Sequence, residues 1–162
     1  MPQATLEILA EDEGFLFGKL DNLGIIIWHG TPSIARIQRI VDGFARFDSK
    51  HGFGLLSIIG PRCNPPGPEA RNAFDQAMRD YRDRLLGIAT VVHTEGMFGG
   101  LSRVIARTLS IISRTPYPHN VYASLDEAAH WLPSVIARSP MAELTPSLIL
   151  ETIAAHYPAR KR

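Results

Sequence analysis

Between Leu23 and Leu132, four short apolar runs rich in β-branched residues alternate with amphipathic stretches at helical spacing. The runs are Leu23–Trp28, Phe53–Ile59, Gly87–Val92 and Asn120–Ala123. Three of them are nearly continuous rather than alternating, which suits strands covered on both faces. Such a rhythm confines the chain to an α/β fold, a mostly parallel sheet built from successive β-α units.

An extended region precedes the series. Residues 5–9 and 14–20 read as strands, with Glu11-Asp-Glu-Gly14 turning the chain between them and Asp21-Asn22 separating Leu20 from the first Ile-rich run. An antiparallel hairpin leading into the first parallel strand is the expected result. The helix that follows is predicted to be capped by Thr31, with Pro32 in its first turn and Ile34, Ile37, Ile40, Val41 and Phe44 as its apolar stripe. After Ile59 the loop Gly60–Pro68 carries four prolines in nine residues. Fixed φ angles make it stiff.

Pro68 opens a second helix with Phe74, Ala77, Met78, Tyr81 and Leu85 on one side. Gly96-Met-Phe-Gly-Gly100 leads into a third, carrying Leu101, Val104, Ile105, Leu109 and Ile112. Ser124-Leu-Asp-Glu127 has the form of a capping box at the head of a fourth helix running through Leu132. Beyond it, Pro133, Pro140 and Pro146 break the chain into short pieces, and Thr145-Pro146 begins a last helix with Leu148, Ile149 and Ile153 on one face. The expected division is an α/β domain over residues 1–132 and a C-terminal helical extension over 133–162, packed on the domain or on a partner.

Bulk properties narrow the function classes. A chain of 162 residues buries roughly 70% of its unfolded surface and needs no metal or disulfide to hold a core. The formal net charge is +1 without a basic block, so nucleic acid is not implied. Cys63 is the only cysteine, which excludes an internal disulfide and suits a reducing cytoplasm. The acidic N-terminal region has no signal-peptide order, and no apolar run approaches the ~20 residues of a membrane span.

The predicted order of elements, closing in Ser124-Leu-Asp-Glu-Ala-Ala-His-Trp-Leu132, resembles the STAS (anti-sigma-factor antagonist, SpoIIAA-like) fold over about residues 14–132. The resemblance implies a non-enzymatic regulatory module that binds a partner protein or small ligand. In regulatory members, a Ser or Thr at the start of the helix after the second parallel strand is phosphorylated. Gly60 to Glu69 contains neither, and Ser57 falls inside the predicted strand. The resemblance therefore carries over the binding role without the phosphoacceptor.

In an open parallel sheet, ligands gather beyond the carboxyl ends of the strands. Arg62, Cys63, Asn64, Pro65, Met97 and Phe98 are the candidate partner-binding residues there. His29, Cys63 and His93 fall at the same edge. A thiolate beside imidazoles would suit a nucleophile and base, or a zinc ion. Their spacing matches no local motif, and separate surface residues are the simpler reading. Gly96–Gly100 lacks the order of known phosphate loops and serves as a tight turn. Arg36, Arg39, Arg103 and Arg107 read as solvated helix faces, and Trp28, Phe98 and Trp131 as core aromatics. The expectation is a cytoplasmic interaction module with no catalytic residue and no cofactor. A small enzyme or metal site at His29, Cys63 and His93, and a carrier of an apolar ligand, are the alternatives. A homodimer through the sheet edge or the last helix is compatible with the pattern.

Overall fold

A computed structural model of the chain describes residues 5–47, 50–61, 63–64, 66–92, 117–136 and 144–157. Six strands form one sheet in sequential order: β1 (Glu7–Asp12), β2 (Phe15–Leu20), β3 (Leu23–Trp28), β4 (Phe53–Ile59), β5 (Leu85–Val92) and β6 (His119–Tyr122). The first two pairings are antiparallel and the remaining three parallel. This is the expected mixed α/β architecture, with the N-terminal hairpin leading into a parallel sheet. The β2–β3 turn is only Asp21-Asn22, since Leu20 pairs with Leu23. Asp21 takes φ 54°, as such short turns demand, and aspartate tolerates it.

Helices α1 (Ile34–Gly43) and α2 (Pro68–Asp80) connect β3 to β4 and β4 to β5. Right-handed crossovers between neighbouring parallel strands taken in one direction place both helices on one face. Ile37 and Ile40 of α1, and Ala70, Ala77 and Met78 of α2, accordingly share one core with Phe15, Phe17, Ile26, Trp28, Phe53 and Ile88. Phe44, in a short 3₁₀ turn after α1, packs there against Phe17, Phe53 and Tyr81. Such ring pairs contribute about 0.5–1.5 kcal/mol beyond area burial.

The opposite face is covered by α3 (Leu125–Ile136) and α4 (Pro146–His156), which pack on one another. Ala128, Ala129, Leu132, Ile136, Ile149 and Ile153 form a second core with Leu16, Ile25, Ile27, Leu56, Ile58 and Val91. The two periodicities meet in these clusters: Ile26 faces one layer, and Ile25 and Ile27 the other.

Several local expectations are corrected. Ser33, not Thr31, caps α1, its hydroxyl accepting from the Arg36 amide at 3.2 Å. Pro32 thus lies outside the helix and Ile34 is half exposed. Helix α2 ends at Asp80, and Leu85 belongs to β5, where it pairs with Phe53. Strand β6 lies one residue earlier than its apolar run. The β1–β2 turn shrinks to Glu13-Gly14 because β1 continues through Asp12. Helix α3 does not stop at Leu132 but runs through Pro133 to Ile136. An interior proline costs about 3 kcal/mol; burying Val135 and Ile136 returns roughly 1.5–3 kcal/mol each. Burial wins. The predicted helix from Leu101 to Ile112 lies outside the described residues. Among those described, no helix is long and apolar enough to cross a membrane.

Candidate functional site

The ladder registers decide which loops share an edge. Trp28 pairs with Ile59, and Ile59 with Val92. The carboxyl ends of β3, β4 and β5 are therefore level, and His29 and the loop from Gly60 leave the sheet along one rim. Gly60 continues the ladder, its amide donating to the Trp28 carbonyl at 3.0 Å, and the Cys63 amide donates back to Gly60 at 3.1 Å to close a turn. That turn places Cys63 and Asn64 on the rim.

The hairpin tip is tied to the same edge. The amides of His29 and Gly30 both donate to the Gly14 carbonyl, each at 2.8 Å. Arg36, one turn into α1, then fastens the tip from above. Its Nε lies 3.1 Å from Asp12 Oδ2, and one Nη donates to the Thr31 carbonyl at 2.9 Å. Asp12 Oδ1 accepts from the Gly14 amide at 2.6 Å. Arg39 completes the group, 3.6 Å from Asp12 Oδ2 and 5.3 Å from the Phe15 ring centre. Arg36 is thus held half-buried against the acidic tip, while Arg39, also paired with Asp12, keeps the solvent-exposed position expected of a helix face. Arg103 and Arg107 lie outside the described residues.

Of His29, Cys63 and His93, the first two lie among the described residues and pack in different surroundings. His29 is exposed, and its ring centre lies 5.7 Å from that of Tyr157, just past α4. Tyr157 packs with the second core. Cys63 packs instead against the first core, on the α1–α2 side. The two share the rim but flank the sheet on opposite faces. Burial pushes the Cys63 thiol up to about 11, the opposite of what a thiolate nucleophile or zinc ligand needs. Among the described residues, no three His, Cys, Asp or Glu side chains gather in a way that would hold a metal ion. His93 lies outside the described residues.

Of the candidate partner-binding residues, Asn64 is exposed and Cys63 half-buried, while Arg62, Pro65, Met97 and Phe98 lie outside the described residues. Trp28 is buried in the first core, and Trp131 is half-buried against Tyr122, ring centres 6.1 Å apart. Phe98, the third aromatic, is not among the described residues. Tyr157 is the rim residue that sequence reading missed. It follows the last helix with no local motif, and only the packing of α4 on α3 brings it to His29 and Gly60.

No family model matches the chain, and no curated protein matches it. Among solved structures, the chain is similar to an uncharacterized protein from the DUF3478 family with a SpoIIAA-like fold, from Shewanella loihica PV-4. The two share 10% sequence identity over 82% of this chain and 97% of that one, with a TM-score of 0.47.

Proposed function

We propose that this protein is a non-catalytic interaction module, binding a partner protein through the rim formed by the carboxyl ends of β3, β4 and β5. The observation that carries the reading is the common register of Trp28, Ile59 and Val92, which sets the following loops side by side. The rim is also tied down where the chain leaves β3 and β4. The Gly14 carbonyl holds the chain after β3, and the loop after β4 begins with a hydrogen-bonded turn and contains four prolines. Segments held in this way lose less conformational entropy when they dock. The high thiol pKa of Cys63 disfavours chemistry at this edge and suits a contact residue. In this reading Arg62, Cys63, Asn64, Pro65, Met97 and Phe98 contribute the contact.

Site-directed photocrosslinking tests it. A benzophenone amino acid at Asn64 should give a discrete protein adduct in cells, while the same probe at Gln76, exposed on α2, should not. Equal labelling from the two positions, or none from Asn64, would overturn the assignment.

A further inference from the structure

We propose that the amino end of β4 carries an internal hydration site, with Asn22 and Arg84 as its two anchors and water as its ligand. Asn22 is only 7% exposed, and neither its Oδ1 nor its Nδ2 has a hydrogen-bond partner among the described residues. The Nε of Arg84 is likewise buried and unpartnered among them. Buried polar atoms are nearly always satisfied, so three unpaired ones from two residues call for a ligand.

The backbone places these residues on either side of the first two residues of β4. Asn22 precedes β3 and Arg84 precedes β5, the two strands that flank β4. The Gly54 amide donates to the Asn22 carbonyl at 3.0 Å, and the neighbouring Phe53 amide to the Arg84 carbonyl at 2.9 Å. The Arg84 side chain is held over the Phe53 and Tyr81 rings, while Nη2 donates to the Phe47 carbonyl at 2.9 Å. Its guanidinium is therefore fixed, with Nε left over.

The chemistry of the unpaired set selects the ligand. Nδ2 and Nε offer N–H donors and Oδ1 offers an acceptor. A bare anion would meet the donors but face the amide oxygen. A metal cation would meet the oxygen but face a guanidinium. A molecule that both donates and accepts satisfies all three, and water is the smallest that does so with 2–4 polar partners.

Magnetic relaxation dispersion of water, which detects long-lived internal molecules, decides the matter on the full chain. Asn22→Leu and Arg84→Lys should each remove the signal of a long-lived water present in the unsubstituted protein. In that protein, water should also show a cross-relaxation peak to the Asn22 side-chain amide protons. If that peak is missing, the site is dry and the proposal fails. If only one substitution removes the signal, the two residues do not share a site, and the proposal fails in that form. Should Asn22→Leu not fold, Arg84→Lys and the amide peak are enough to sustain or overturn the site.

Discussion

The guanidinium of Arg36 lies directly against the backbone of Gly14, so a Cβ at position 14 would overlap it. Through this contact, α1 grips the hairpin tip that in turn holds His29 and Gly30 on the rim.

Loss of the grip has a size and a pH signature. Arg36→Ala should cost about 1–2 kcal/mol, because the pair with Asp12 is charged and largely shielded. Gly14→Ala should displace the guanidinium and duplicate much of that loss, so the two changes should combine with less than additive effect. For Asp12, burial pulls the carboxyl pKa up, but hydrogen bonds from the Gly14 amide and Arg36 outweigh it and the net shift is downward. The folded state thus favours the ionised form. Its contribution is full above the ordinary aspartate value and is lost as pH falls through the lowered folded value. Urea melts of wild type and Asp12→Asn across acid pH should converge on acidification. Parallel curves would refute the assignment.

Cys63 should be a slow thiol. A pKa raised from 9.0 to about 11 lowers the thiolate fraction at neutral pH roughly 100-fold relative to an ordinary cysteine. Alkylation by iodoacetamide at pH 7.5 should lag a free thiol by about that factor and rise steadily toward high pH. Reaction at the rate of an exposed cysteine would show that the rim opens around it.

His119 ties β6 to β5, its Nε2 lying 3.0 Å from the Thr90 hydroxyl. Burial lowers its pKa to about 4 from 6.5. The unfolded chain therefore binds the proton more readily between those values, and stability should fall as pH drops from 6.5 toward 4. The whole effect is at most about 3 kcal/mol. Replacing His119 with Gln should flatten that part of the stability curve. Thr90→Val should cost about 1–3 kcal/mol by stranding the imidazole nitrogen. Hydrogen exchange should locate the loosening in β6.

The binary pattern made most of the fold legible. Continuous runs such as Leu23–Trp28 announce strands buried on both faces, and Ile37 and Ile40 mark the inward side of α1. Boundaries were less legible because they depend on competition between local and tertiary terms. Ser33 displaced Thr31 as cap, and Val135 and Ile136 drew α3 through a proline that local propensity would make a stop. Leu85 was apolar at helical spacing yet joined a strand, since pairing with Phe53 outweighs one more turn of helix.

The candidate site divides the same way. Sequence by itself determined that loops after successive parallel strands leave from one edge, because chain direction and crossover hand follow from the β-α alternation. Only the tertiary structure decided which side chains meet there. His29 and Cys63 fall on opposite faces, and Tyr157 arrives beside His29 from the far end of the chain. Strand periodicity and direction are local properties of the backbone. The pairing of side chains more than a hundred residues apart is set by how α3 and α4 bury their apolar faces, and no short stretch of sequence encodes that.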